Sequence, residues 1–420
     1  YVCFFELWQK ILKEDGYFSM IVANKWLRVT YAHKLREWLI KKKIIEIIDF
    51  GDLPVFADAS AYPCIITIKN NSDVDLIKVT TPTTLNFGSL DIYVQQNSFS
   101  VNPKYLSSNN WQLVDNNKAK ILKKINNQAI TLHKYTNGVI RRGIVTGFNE
   151  AFVINEATRN SLIKAHPSSQ DIIKPFLAGR DVKRNTIEFQ DSYIIFTRRG
   201  IEIEKFPAVL SYLSQFKLQL EPKPKGWKGN WPGRKSGSYQ WYEIQDSIEY
   251  FKEFEKPKII YPNICKSPQF CLDRKGYYTN QKCFIIPLDD NYLLSVLNSR
   301  IMFFFFKMNL PKLRGDYFEP GYIHLRKFPI PECNNKETHN KITTLVEHTC
   351  TVNKGLQILT SKFYNYIVQI IKATLPKKLD SWYELEFGEF IKELNKAIKA
   401  SNKVRTKEGK SPIPELTKKR

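Results

Sequence analysis

The side chains best suited to chemistry in this chain are cations, and they recur in one pattern. A pair of basic residues sits beside a glycine at the end of an apolar run. Arg141 and Arg142 precede Gly143 and Gly147, Arg180, Lys183 and Arg184 follow Gly179, and Arg198 and Arg199 precede Gly200. From 223 to 242, Lys223, Lys225, Lys228, Arg234 and Lys235 interleave with Trp227, Trp231, Tyr239, Trp241 and Tyr242. Lys312 and Arg314 stand before Gly315. Glycine lets backbone approach a phosphate, and Lys and Arg grip its oxygens, which positions a polyanion. Arginine also pairs bidentately with guanine in the major groove. Interleaved rings offer stacking surfaces. Each cation alone could be a solvated surface charge, but together they predict a double-stranded DNA-binding surface. Trp241 and Tyr242 are expected in the core rather than on a ligand.

Other chemistries find little support. The seven cysteines (Cys3, Cys64, Cys265, Cys271, Cys283, Cys333, Cys350) form no CxxC pair, so neither a zinc site nor a disulfide framework is expected. The histidines show no ligand spacing; His339 and His348 are expected on the surface of one helix. The longest apolar run, Ile301–Phe306, is far short of the roughly 20 residues that span a bilayer, and no signal-peptide pattern opens the chain. A reducing cytoplasm fits this cysteine usage. The chain opens on Tyr1, which is expected of an excised piece.

The net charge of +23 is unevenly placed. Residues 1–80 hold 11 Lys/Arg against 10 Asp/Glu, whereas residues 131–331 hold 31 against 19. Residues 81–130 add +3 and residues 332–420 add +7. Polyanion binding accounts for such asymmetry; the competing explanation is the Lys- and Asn-rich composition of an AT-rich genome.

The elements that must position these cations follow from periodicity. Residues 4–13 have helical spacing with Gly16 as a stop. Tyr17–Ala23 reads as a parallel strand buried on both faces, followed by a helix at 31–42 and buried strands at 44–50 and 63–69. This alternation predicts a doubly wound α/β sheet, incomplete at three strands. Residues 70–130 are polar, with a connector helix near 118–125. From 137 onward short strands alternate with turns: 139–144, 151–154, 192–197, 258–261, 277–279 and 283–286. Residues 221–237 read as a long loop, 291–307 as one helix, and 338–373 and 385–400 as C-terminal helices. The expected organisation is 1–80, a connector at 81–130, a mixed α+β, β-rich domain at 131–331, and a helical region at 332–420.

Two sets of motifs carry a resemblance. Gly16–Leu27 (GYFSMIVANKWL), Leu35-Arg36 with Leu39, Phe50-Gly51, Val55-Phe56 with Ala59, and Tyr62-Pro63 with Ile65 stand in the order and spacing of the second half of gamma-class adenine DNA methyltransferases. Arg141–Ile154, Ile172–Arg184, Trp241–Ile244, Lys256–Tyr261, Leu297–Ser299 and Arg326–Pro331 resemble the TaqI-like target-recognition domain fused behind such enzymes. Together they identify the chain as similar to Type IIG restriction–modification enzymes. Residues 379–394 resemble their helical tail.

The resemblance implies a role for Phe56. A base must leave the duplex before its amino group can be methylated, and Phe56 stands where the family places the ring against which that base stacks. It also implies S-adenosylmethionine as cofactor of the intact enzyme, and Mg2+ only for a nuclease upstream. No GxG turn and no Asn-Pro-Pro-Tyr occur here, so no catalytic residue is assigned. The near matches Asn102-Pro103-Lys104-Tyr105 and Glu221-Pro222-Lys223 are read as decoys. The reading is a DNA-recognition fragment, inactive alone. Rivals are a fragment of a methyltransferase-only phage-defence protein, a non-catalytic specificity subunit, and a protein binding RNA or polyanions generally.

Overall fold

The computed structural model describes residues 2–56, 61–71, 76–108, 111–313, 315–371 and 375–417. They divide into two units, Tyr1–Thr343 and Thr344–Arg420.

The first unit opens on a five-stranded sheet: β1 (Tyr17–Ala23), β2 (Lys43–Asp49), β3 (Pro63–Lys69), β4 (Ile77–Thr80) and β5 (Phe99–Val101), in the order β1-β3-β2-β4-β5. β3 runs antiparallel to both β1 and β2, and β4 is parallel to β2. This corrects the expectation for Tyr17–Ala23. An apolar run does not encode strand direction; here β1 lies at the edge of the sheet among the described residues, and its Tyr17 and Ile21 are exposed. The sheet also exceeds three strands, because Ile77 and Val79 of the polar 70–130 stretch are buried along the free edge of β2. Phe5 and Trp8 of helix Val2–Ile11 share a core with Trp26, Leu39, Ile47, Ile66 and Trp111. Fully buried Arg36 donates to the carbonyls of Trp26, Val29 and Ser108, fixing the strap that follows β5 against the 24–29 turn.

Helix Asn116–Asn127 then leads to β6 (Ala129–Thr131). Behind it lie β7 (Arg141–Arg142), β8 (Val153–Asn155), β9 (Ile173–Leu177), β10 (Val182–Lys183), β11 (Thr186–Ile187), β12 (Ser192–Ile195), β13 (Lys258–Pro262), β14 (Cys271–Asp273), β15 (Tyr278–Thr279) and β16 (Cys283–Ile286). They build two four-stranded sheets, β15-β9-β12-β8 and β14-β13-β16-β7, with β10-β11 as a separate hairpin. One core joins them, including Phe152, Ile194, Phe254, Ile260 and Ile285. The hairpin of β17 (Lys312–Leu313) and β18 (Tyr317–Phe318) follows, and β19 (Pro329–Pro331) returns to pair with β6. The single helix expected over 291–307 is two, Asn291–Leu297 and Arg300–Asn309. Asn298 leaves the helix to bond both backbone groups of Phe270, and Ser299 caps the second helix at Met302 N.

The second unit holds most of helix Lys336–Ile371 and helix Phe387–Lys407, packed through Ile367, Ile371, Leu394 and Ile398. Among the described residues no helix is long and apolar enough to cross a membrane.

Candidate nucleic-acid interface

The sequence-predicted cations separate into two groups. The first surrounds residues 250–255. Arg141 and Arg198 lie over the neighbouring rings of Tyr250 and Phe251, at 5.3 and 5.0 Å. Arg141 is paired with Glu253 at 3.3 Å and Arg142 with Asp246 at 3.8 Å. The 221–237 loop is rooted beside them. Its Lys223, Lys225, Lys228 and Lys235 stand on a segment with no strand or helix, as its Pro and Gly content predicts; Lys225, Lys228 and Lys235 are exposed.

Arg234 is the exception and a correction. It is 4% exposed. Its guanidinium donates to the carbonyls of Leu220, Thr146, Glu243, Gln240 and Trp241 and lies 4.4 Å over Tyr239. Burial pulls its pKa down to about 10, against the opposing pull of Tyr239, Glu221 and Glu243. It pins the loop to the domain and has no donor left for a phosphate. Arg199 is similarly engaged, donating to Ser238 Oγ and the Gln245 carbonyl. The glycines are also spoken for: a Cβ on Gly143 would lie 2.0 Å from the Asn280 carbonyl, and the Gly200 amide donates to Glu243. Trp241 and Tyr242 pack partly buried against the core.

The second group lies at the other end of β9. Phe196 N bonds Ile172 O at one end, and Gly179–Arg180 follow Leu177 at the other, roughly 16 Å of strand apart. The Arg180 side chain is 84% exposed, Lys183 is paired with Glu188 at 3.5 Å, and Arg184 is exposed. Gly179 approaches Pro262, and Cys265 just beyond pairs with Phe318 of β18. That hairpin presents Lys312, whose Nζ bridges Asp52 and Asp316, both at 3.1 Å. Burial lowers the Lys312 pKa, but its bonds to the two carboxylates outweigh this and leave it raised. Arg314 lies outside the described residues, as does Ala59.

Lys312 stands on one wall of a cleft of about 700 Å³ between the end of β2 and helix Arg300–Asn309. Arg28, Lys118, Lys307 and Lys312 line it, with Asp49 and Asp52. A Gln112–Asn309 side-chain bond of 2.6 Å ties its walls together. Arg28, Lys118 and Lys307 were not singled out in the sequence, because they come together only through tertiary packing. Phe56 is 45% exposed and is not among the residues lining the cleft, which include Gly51, Asp52 and Leu53 just before it in sequence. Of the near matches, Asn102 caps its own turn by accepting from Lys104 N, and the Glu221 carbonyl accepts from Arg234 N at the loop root. Neither is a catalytic constellation. Among the described residues no cluster of His, Cys, Asp and Glu is placed to hold a metal.

A five-stranded sheet is followed by a basic, β-rich domain across a cleft lined by four cations and by Asp49, Asp52 and Asp316. Residues 174–330 match the TaqI-like C-terminal specificity domain, residues 1–56 the Eco57I restriction-modification methylase, and residues 335–419 a domain of unknown function. The chain thus carries a TaqI-like specificity domain behind an Eco57I-type methylase segment. It is 20% identical to the Type II methyltransferase M.BstVI of Geobacillus stearothermophilus, over 89% of this chain and 69% of that protein. It is 20% identical to the Type II restriction enzyme and methyltransferase RM.Eco57I of Escherichia coli, over 82% of this chain and 38% of that one. Among solved structures, the Type IIL restriction-modification enzyme MmeI in complex with DNA shares the fold, with a TM-score of 0.51 at 14% identity, covering 98% of this chain and 49% of that one.

Proposed function

We propose that this chain is the sequence-specific DNA-recognition part of a Type IIG-like restriction–modification enzyme that methylates adenine. The observation that carries this reading is the cleft between the methylase-like sheet and the specificity domain, which gathers Arg28, Lys118, Lys307 and Lys312 from both. The second half of a methylase sheet supports a target base at Phe56, while the specificity domain supports phosphate grip and base readout. The proposed division is a methylase segment over 1–80, a connector to 130, recognition over 131–331 and helical support beyond.

The methyl donor of this family is S-adenosylmethionine. The sequence holds no glycine-rich turn for it, and Asp49 Oδ1 at the end of β2 accepts from Asn24 Nδ2 at 2.7 Å and Gly51 N at 3.1 Å.

Salt-dependent binding to duplex DNA tests the reading. The joint change Arg180→Ala, Lys183→Ala and Arg184→Ala should lower the slope of log affinity against log salt by about one to two phosphates' worth, because Asp181 and Glu188 already partly neutralise Arg180 and Lys183. Arg141→Ala with Arg142→Ala should lower it by less than two, because carboxylates already neutralise both. Unchanged slopes in both sets would remove the interface. Equal affinity for structured RNA would favour the general polyanion reading instead. In the full-length enzyme, Phe56→Ala should reduce methylation at least tenfold with duplex affinity nearly unchanged; equal losses would refute the stacking role.

A further inference from the structure

An ion pair crosses the cleft. Lys312 stands on the β17–β18 hairpin of the specificity domain, and Asp52 stands 260 positions away on the loop that follows β2 of the methylase-like sheet. Lys118 of the same cleft, by contrast, pairs with Asp115 at the start of its own helix. An ion pair between freely moving surface side chains contributes little, because water screens it and both chains must be ordered. Here the Lys312 and Asp52 side chains are 39% and 24% exposed, and the backbone beneath each is already fixed.

Lys312 takes its position from the core of the specificity domain. It lies opposite Phe318 in the hairpin. Phe318 is buried, exchanges both backbone hydrogen bonds with Cys265 at 2.8 and 3.1 Å, and meets the rings of Phe303 and Phe306. Cys265 follows closely on Pro262 at the end of β13, and a Cβ on Gly179 would stand 3.7 Å from Pro262. The exposed Arg180 therefore shares its support with Lys312. Asp52 is held from the opposite side. Asp49 accepts from Gly51 N, Leu53 N donates to the Phe50 carbonyl, and Leu53 and Val55 pack on Ile48, Phe50 and Val94. Those contacts fix the loop to its own sheet. At Asp52 the specificity domain reaches the same loop, just ahead of Phe56.

We propose that Lys312 is a positioning residue: through Asp52 it sets the loop that carries Phe56, coupling DNA engagement by the specificity domain to placement of the stacking ring. The inference rests on the stacking role proposed above for Phe56. Asp316, on the same hairpin, steadies the ammonium at 3.1 Å without joining the two parts. Misplacing a ring that must meet the reacting base costs rate rather than affinity.

Exchange of charges tests the bridge. Lys312→Asp sets three carboxylates together, Asp52→Lys sets two ammonium groups together, and the double change restores opposite charges. The amides of Gly51, Leu53 and Val55 are bonded within the loop, so their hydrogen exchange reports it. Each single change should speed exchange over 50–56 by about fivefold, and the double change should return it towards the parent. Exchange over 258–262 should stay constant throughout, showing that the fold is intact. In the full-length enzyme acting on unmethylated genomic DNA, Asp52→Asn should lower the single-turnover methylation rate by about three- to tenfold, with Kd unchanged. A loop indifferent to Lys312→Asp, or a double change whose effects simply add, overturns the coupling. So does Asp52→Asn that tightens DNA binding at the parent rate, since a freed Lys312 would then be a phosphate contact. Phe56→Ala separates the two readings. Normal methylation there removes the stacking role and this inference with it; impaired methylation there beside a normal rate in Asp52→Asn removes this inference alone.

Discussion

Arg234→Met is expected to destabilise the 131–331 region by on the order of 3–5 kcal/mol, the largest effect among the basic residues of this chain. Five backbone carbonyls from three separate segments converge on one guanidinium. Methionine keeps much of the apolar stem but supplies no donor, so buried acceptors are left unmet, each at a cost of about 1–3 kcal/mol before relaxation. The Thr146 carbonyl ties the loop to the β7 region, and the Leu220 carbonyl ties it to the preceding helix turn. Losing both frees residues 221–243 together. Arg234→Lys should recover only a fraction, because one ammonium cannot reach five carbonyls that a planar fork spans. Denaturant unfolding gives the magnitude, and hydrogen exchange over 221–243 locates it. A loss below about 1 kcal/mol would show that the carbonyls re-pair with water and that Arg234 is not the pin.

This residue also shows where sequence reading stops. Arg234 and Lys235 are adjacent cations between Gly233 and Gly237, and their types predict the same role. The structure buries one and exposes the other. What separates them is the position of Thr146, 88 residues away, and no local pattern encodes that. Elements with a complete local signal were legible: Cys283–Ile286 is a strand as expected, because a short apolar run lies between β13 and β7 with pairing on both sides. The break at Asn298-Ser299 was not, because a helix-capping pair inside an apolar run looks tolerable until Phe270 claims the asparagine. The same logic applies to the cleft. Lys118 and Lys307 lie 189 positions apart, and only the tertiary packing of their two helices brings them into one cleft.

Asp273→Asn should destabilise the chain by about 3–5 kcal/mol, and more than Lys258→Met does. Lys258 and Asp273 form an ion pair at 0% and 1% exposure, side by side on β13 and β14. The asymmetry follows from their remaining partners. Without Lys258, the Asp273 carboxylate still accepts from Lys275 N at 2.7 Å and Tyr277 N at 2.9 Å. Without the carboxylate, the Lys258 ammonium keeps only the Phe254 and Lys256 carbonyls. Burial already depresses the Lys258 pKa, with Asp273 opposing; removing Asp273 depresses it further. The variant therefore has a folded pKa below its unfolded one, so the unfolded chain binds the extra proton, and stability must rise with pH through the window below 10.5 as Lys258 becomes neutral. Unfolding midpoints of Asp273→Asn measured from pH 7 to 10 should climb relative to those of the parent. Flat or falling differences would mean that Lys258 finds another counter-charge or water once the aspartate is gone. The double change Lys258→Met with Asp273→Asn should cost less than Asp273→Asn alone, because it leaves no buried charge behind.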